Sequence, residues 1–161
     1  MFNALWKMRE GFVTGAGLIL VGLLLQYTAG PIDWSAFAFP LNAIVLALYL
    51  LLLVIIYALR HRARLFSFLF TVEAAVPTLI YAAILTVAMG LTRQVAPHER
   101  AIDPIGLTRM LSFWPFVLIY ARLTGIVGLI AIRQILHFRL REVPSLLSHI
   151  GLFIAIVAAT L

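Results

Sequence analysis

The chain has 161 residues, of which 64% are hydrophobic and 11% charged, and its mean hydropathy is +1.10. Soluble domains carry about 45–50% apolar and about 25% charged residues, so this composition excludes a water-soluble globule, a disordered tail and a fibrous protein. The chain contains no cysteine, which excludes disulfides, thiolate metal ligands and a Cys-x-x-Cys-His site for covalent haem attachment. The composition therefore predicts an integral membrane protein made of helices.

The net charge of +6 comes from twelve Lys and Arg residues against six acids. In a soluble domain such an excess would suggest a nucleic-acid partner. Here the basic residues lie mostly between apolar runs, where they act as topology signals and contacts to lipid headgroups. We therefore expect a lipid bilayer, and no nucleic acid, as the partner of these charges.

Five apolar segments approach or exceed the roughly 18–20 residues that a helix needs to cross a bilayer. In chain order, spans are expected at about 11–29, 41–59, 72–91, 111–132 and 145–161. Together they predict a single domain, an all-α integral membrane protein built as a bundle of five transmembrane helices without β-sheet.

Proline and glycine positions support these spans. Pro77 removes a backbone donor inside the third span, and Pro144 fits the first turn of the fifth helix. The spacings Gly11-x3-Gly15 and Gly125-x2-Gly128 predict close helix packing, because small residues let helix backbones approach each other.

The basic residues between the spans are distributed unequally between the two ends of the bundle. Eight fall at the end that holds the N-terminus and three at the other, so the bias predicts a cytoplasmic N-terminus. The inner set is Lys7, Arg9, Arg60, Arg62, Arg64, Arg133, Arg139 and Arg141, and the outer set is Arg93, Arg100 and Arg109.

The fifth span is short for a bilayer. From Ser145 to Leu161 a helix rises about 25 Å, against a hydrocarbon core of about 30 Å. Because a terminal carboxylate inside lipid is costly, we expect the native polypeptide to continue beyond Leu161.

Among the four histidines, His149 is the one that lies inside a predicted span. At helical spacing it shares a stripe with Phe153 and Ile156, and it flanks a stripe of small residues that would admit another helix. An imidazole is a normal axial ligand of haem iron, whereas a lone histidine near a helix end is more often interfacial or hydrogen-bonded. The spacing leaves both interpretations open, and a second axial ligand would come from another polypeptide. The small stripe comprises Ser148, Gly151, Ala155 and Ala159.

Arg122 lies inside the fourth span, about ten residues or roughly 15 Å from its predicted inner end. Its glycine neighbours indicate that it faces protein, and Glu73 lies at a different depth. A backbone carbonyl, a polar group of another subunit or an anionic ligand such as a haem propionate are the candidate partners. A structural role is the preferred interpretation.

Two stretches, GLTRMLSFWPFVLIY (106–120) and PSLLSHIGLFIAIVAATL (144–161), resemble the ResB-like (CcsB-type) proteins of System II cytochrome c biogenesis. Residues 15–42 are also similar to the longer, membrane-rich members of that family. The His-x-Gly-Leu context at His149 is the most specific part of the resemblance.

The resemblance implies a multi-pass protein of the bacterial cytoplasmic membrane that works with a CcsA-like partner to carry haem across the membrane. The haem b would be held in transit by His149 as axial ligand of the iron, with Arg122 as a candidate propionate contact, and then attached to apocytochrome c by a haem lyase complex. The family's large extracytoplasmic domain is missing here, so the chain is expected to be the membrane portion of such a protein.

Two other interpretations stay open. One is a haem- or quinone-binding membrane anchor subunit of a respiratory enzyme, although such anchors usually hold b haems between paired histidines of their own helices. The other is a structural assembly subunit without a ligand. No Ser–His–acid set, carboxylate pair or metal cluster can be assembled from the sequence, so no autonomous catalytic site is expected.

Overall fold

The computed structural model describes residues 2–62, 64–96 and 99–160, without the side chains of 2–7, 64, 65, 159 and 160. Every regular secondary-structure element in these residues is a helix. The six α-helices are α1 Phe2–Ala29, α2 Leu41–Ala58, α3 Arg64–Phe68, α4 Val72–Leu91, α5 Trp114–Leu136 and α6 Val143–Thr160.

All of these helices except the short α3 are long and apolar enough to cross a membrane. The prediction of an all-α bundle of five transmembrane helices is therefore confirmed. Pro144 occupies the first turn of α6, where its missing N–H is not needed for a hydrogen bond.

The fourth span lies further along the chain than predicted. Residues Leu107–Ser112 form a 3-10 helix and Phe113 has extended backbone angles, so α5 begins at Trp114 instead of residue 111. It continues to Leu136, four residues past the predicted end at residue 132. Arg133 lies in its last turn, where a positive charge interacts favourably with the helix dipole.

Helix α5 is the centre of the bundle. Within its apolar span 61% of the residues are buried, against 22% or less in each of the other four spans. It contacts α1, α2, α4 and α6, and α1 also packs along α4. The outer four helices thus leave most of their apolar surface for lipid or for other proteins.

Glycines allow the closest helix contacts. At Gly128 of α5 a Cβ atom would lie 2.8 Å from both Leu53 Cδ1 of α2 and Phe153 Cε2 of α6. At Gly11 of α1 a Cβ atom would collide with the carbonyl oxygen of Glu73 in α4. Since lipid tails are as apolar as the helices, close packing of this kind is a main source of helix association. The predicted packing role of these glycines is confirmed.

The segments that connect the helices lie at two opposite ends of the bundle. Trp34 Nε1 donates to the carbonyl oxygen of Leu111 at 3.0 Å, and Trp114 Nε1 donates to that of Gly30 at 2.9 Å, so residues 30–40 and 107–114 meet at one end. Segments 59–71 and 133–142 line a common cleft at the other end. The basic residues of these connections therefore lie at opposite ends of the bundle.

Asp103 organises the long connection between α4 and α5. Its carboxylate accepts hydrogen bonds from the backbone N–H groups of Gly106 at 2.7 Å, Leu107 at 2.6 Å and Thr108 at 2.8 Å. Gly106 adopts a φ of +97°, a conformation that glycine tolerates best. Burial raises the pKa of Asp103, but the hydrogen bonds from Thr108, Leu107 and Gly106 outweigh it and hold the pKa well below its usual range.

Candidate functional site

His149 lies on α6 six residues after Val143 and is partly buried. Its Nδ1 atom is 2.8 Å from the backbone carbonyl oxygen of Ser145, one turn earlier. Because a carbonyl oxygen can only accept, the proton sits on Nδ1, and in the neutral ring the lone pair is on Nε2. This is the tautomer in which a histidine can bind iron through Nε2.

A short polar chain connects His149 to the central helix. Gln134 Nε2 of α5 donates to Ser145 Oγ at 3.0 Å, and Ser145 Oγ is 3.3 Å from His149 Nδ1. The Oε1 atom of Gln134 is buried and has no hydrogen-bond partner in the described part of the chain. Sequence reasoning missed Gln134 and Ser145. The available signals were a glutamine ending an apolar run and the four-residue spacing from Ser145 to His149.

The packing face of α6 is the stripe that contains His149. Phe153 and Ile156 pack against the buried core around α5. The neighbouring small stripe is exposed at Ser148, Gly151 and Ala155, and nothing lies within 4 Å of a Cβ built on Gly151. The expected helix contact along that stripe is therefore not made within the described residues, and the side chain of Ala159 lies outside them.

Arg122 lies on a face of α5 that is directed towards the protein interior, as expected. Ile126 and Pro115, on the same face of the helix, are almost fully buried. The Nε and Nη1 atoms of Arg122 are buried and have no hydrogen-bond partner among the described residues. The hydroxyl group of Tyr81 in α4 is near enough to interact electrostatically with the Arg122 guanidinium. Buried N–H donors without acceptors are costly, so this site calls for an acceptor.

The structure does not bring Arg122 and His149 together. Phe153 packs at the level of Gly128, which lies roughly 120° around α5 from Arg122. Relative to that level, His149 is about 6 Å towards one end and Arg122 about 9 Å towards the other. Arg122 is also about 21 Å from the inner end of α5 instead of the expected 15 Å, because the helix continues to Leu136.

No group of three or more His, Cys, Asp or Glu residues that could hold a metal ion occurs among the described residues. His61 and His137 lie outside the spans, and His98 falls outside the described residues. His149 is thus the one described histidine within a span, and any iron bound there needs further ligands from elsewhere.

Comparison with models of known families, with curated proteins and with solved structures finds no match to this chain. The resemblance to ResB-like proteins stays a prediction. The geometry around His149 and the sequence motifs are the features of this chain that bear on its function.

Proposed function

We propose that this chain is a ResB-like membrane component of cytochrome c maturation, which passes haem across the bacterial cytoplasmic membrane together with a CcsA-like partner. The haem is then attached to apocytochrome c. The observation that carries the proposal is the placement of His149: it lies within a span, and its Nδ1 atom is 2.8 Å from the Ser145 carbonyl oxygen, which favours the tautomer with its lone pair on Nε2. The resemblance of residues 144–161 to that family supports it.

Haem is the cargo in this proposal, and His149 supplies an axial ligand through Nε2. The Ser145 carbonyl fixes the tautomer and orientation of the ring and raises the basicity of the ligating nitrogen. Gln134 holds the Ser145 hydroxyl beside the ring, so the ligand is attached to the central helix. With the N-terminus in the cytoplasm, His149 lies about 9 Å from the cytoplasmic start of α6 and would receive haem from that side.

The second axial ligand is assigned to the CcsA-like partner. The exposed small residues Ser148, Gly151 and Ala155 run beside His149 on α6 and would let a partner helix approach closely. Arg122 lies on another face of α5 and at another level, so its contact with a propionate of the same haem stays a prediction. Its unpartnered N–H groups suit an acceptor supplied by a neighbouring subunit.

The test is the haem content of the purified complex with the CcsA-like partner. His149→Ala should remove most of the haem absorbance band and lower the yield of mature c-type cytochromes, because the axial bond is lost. Added imidazole, which fits the space left by the missing ring, should restore part of the band. The matched control is His137→Ala, since His137 Nδ1 also contacts the carbonyl four residues earlier, at 3.3 Å, but lies outside the spans.

Full haem and full cytochrome c maturation in His149→Ala would contradict the ligand assignment. Deleting the gene separates the proposal from its rivals. Loss of all holo-c-type cytochromes supports haem delivery, whereas loss of a single respiratory activity points to a membrane anchor subunit.

A further inference from the structure

A cleft of about 670 Å³ opens at the end of the bundle where segments 59–71 and 133–142 meet. Three of the less exposed lining residues are apolar or aromatic: Tyr57 is buried, and Phe70 and Ile130 are partly buried. The more exposed lining is polar and mostly basic. The cleft thus combines an apolar interior with a charged opening.

Among the described residues, three arginines line the cleft against one carboxylate, that of Glu142. Arg60 follows α2, Arg133 lies in the last turn of α5, and Arg139 belongs to the connection before α6. Bringing three like charges to one cleft costs electrostatic repulsion, which an anion bound between them would offset.

Arg60 is held in place by Tyr57. Its Nη1 donates to the Tyr57 carbonyl oxygen at 2.9 Å, and its guanidinium carbon lies 4.0 Å from the centroid of the Tyr57 ring. A guanidinium fixed in this way has lost its conformational freedom before a ligand arrives. Its planar fork of N–H donors matches the oxygens of a phosphate group.

We propose that this cleft binds a phosphate group, namely the headgroup phosphate of an anionic phospholipid. Basic pockets between transmembrane helices on the cytoplasmic side are suited to such headgroups. The arginines supply the anion contacts, and the apolar part at Phe70 and Ile130 suits the glycerol backbone and the start of the acyl chains. Free phosphate would leave that apolar part unused, so the lipid is the favoured source. This inference does not rest on the proposed haem transfer, and the two sites share one residue: Gln134, which donates to Ser145 beside His149, also lines the cleft.

The experiment measures lipid retention by native mass spectrometry of the full chain released from detergent, with phosphatidylglycerol and phosphatidylcholine as probes. Phosphatidylglycerol should bind at least tenfold more tightly than phosphatidylcholine. The variant R60Q/R133Q/R139Q should bind it about 100-fold more weakly, because each arginine near the bilayer surface contributes roughly a factor of five. Arg139→Gln alone changes an exposed connection and should weaken binding about fivefold. This single variant serves as the test if the triple variant does not fold.

The matched control is Arg141→Gln, which removes an exposed arginine at the same end that does not line the cleft. Inorganic phosphate at millimolar concentration forms a second arm. If phosphate displaces the lipid and its binding depends on the same arginines, the cleft is a phosphate site whose ligand is free phosphate. If the lipid resists displacement, the ligand is the lipid headgroup. Equal retention of the two lipids, equal weakening by Arg141→Gln, or unchanged binding in a folded triple variant would each overturn the proposal.

Discussion

At the scale of single residues, one carboxylate binds several backbone groups of the irregular connection before α5. Asp103 accepts hydrogen bonds from three consecutive backbone N–H groups and from the Thr108 hydroxyl. Hydrogen bonds to an ionised group are stronger than those between neutral groups. The carboxylate thereby replaces the backbone acceptors that a regular helix would provide in this segment.

We expect Asp103→Asn to lower the free energy of unfolding by about 1 kcal/mol, because it exchanges a charged acceptor for a neutral one. The lowered pKa means that this contribution is complete above the unfolded-state pKa of about 3.9 and is lost as the pH falls through the lower folded-state pKa. Thermal unfolding in detergent at pH 7 measures the full difference, and a series that extends below pH 3 measures its loss. Glu99→Gln, an exposed acid in the same connection, is the control; equal effects of the two variants would argue against the role of Asp103.

The candidate site could be predicted from the sequence only in part. His149 and Arg122 stand out because polar groups are rare inside apolar runs, and the structure places both within spans. Their separation could not be predicted, since the pattern along one helix does not say which neighbour each face meets. Gln134 was missed for a related reason: its bond to Ser145 depends on how α5 and α6 are placed against each other.

At the scale of helices, α1 offers a direct test of glycine packing against α4. A Cβ atom at Gly11 would collide with the Glu73 carbonyl oxygen and lie 2.7 Å from Pro77 Cγ, whereas nothing lies within 4 Å of a Cβ atom at Gly17. Gly11→Ala should therefore destabilise the bundle by about 1–3 kcal/mol through overpacking. Gly17→Ala, the same change on the same helix, should be neutral or slightly stabilising because alanine favours the helix. Thermal unfolding measures both, and equal melting temperatures would show that α1 does not approach α4 this closely.

The number and type of the membrane spans were predictable because each span is a long apolar run, and five such runs appear as five long helices. The start of α5 was not, since residues 111–113 continue the apolar run of the span without belonging to the helix. The backbone there is instead shaped by Gly106 with its positive φ, by Asp103 and by the extended Phe113. Hydropathy alone does not register such local conformations.

At the scale of the whole molecule, the burial of α5 and the exposure of the other spans describe a bundle with one central helix and four peripheral ones. Hydropathy does not predict which span is central, because that of α5 lies between those of the other spans. The two ends of the bundle differ in charge, and this difference is the basis for the expected orientation in the membrane. Since the cleft and His149 both lie towards the strongly basic end, their proposed roles require that end to face the cytoplasm.

The orientation is tested by labelling single cysteines with a membrane-impermeant maleimide, since these 161 residues contain no cysteine that would react in the background. Arg62→Cys lies at the strongly basic end and Arg100→Cys at the opposite end. Both are exposed, so neither change should disturb the bundle. In spheroplasts we expect Arg100→Cys to react from outside and Arg62→Cys to react only after lysis, because positively charged connections stay in the cytoplasm. Reaction of both from outside would refute the five-span topology, and the reverse pattern would place His149 near the outer surface and rule out uptake of haem from the cytoplasm.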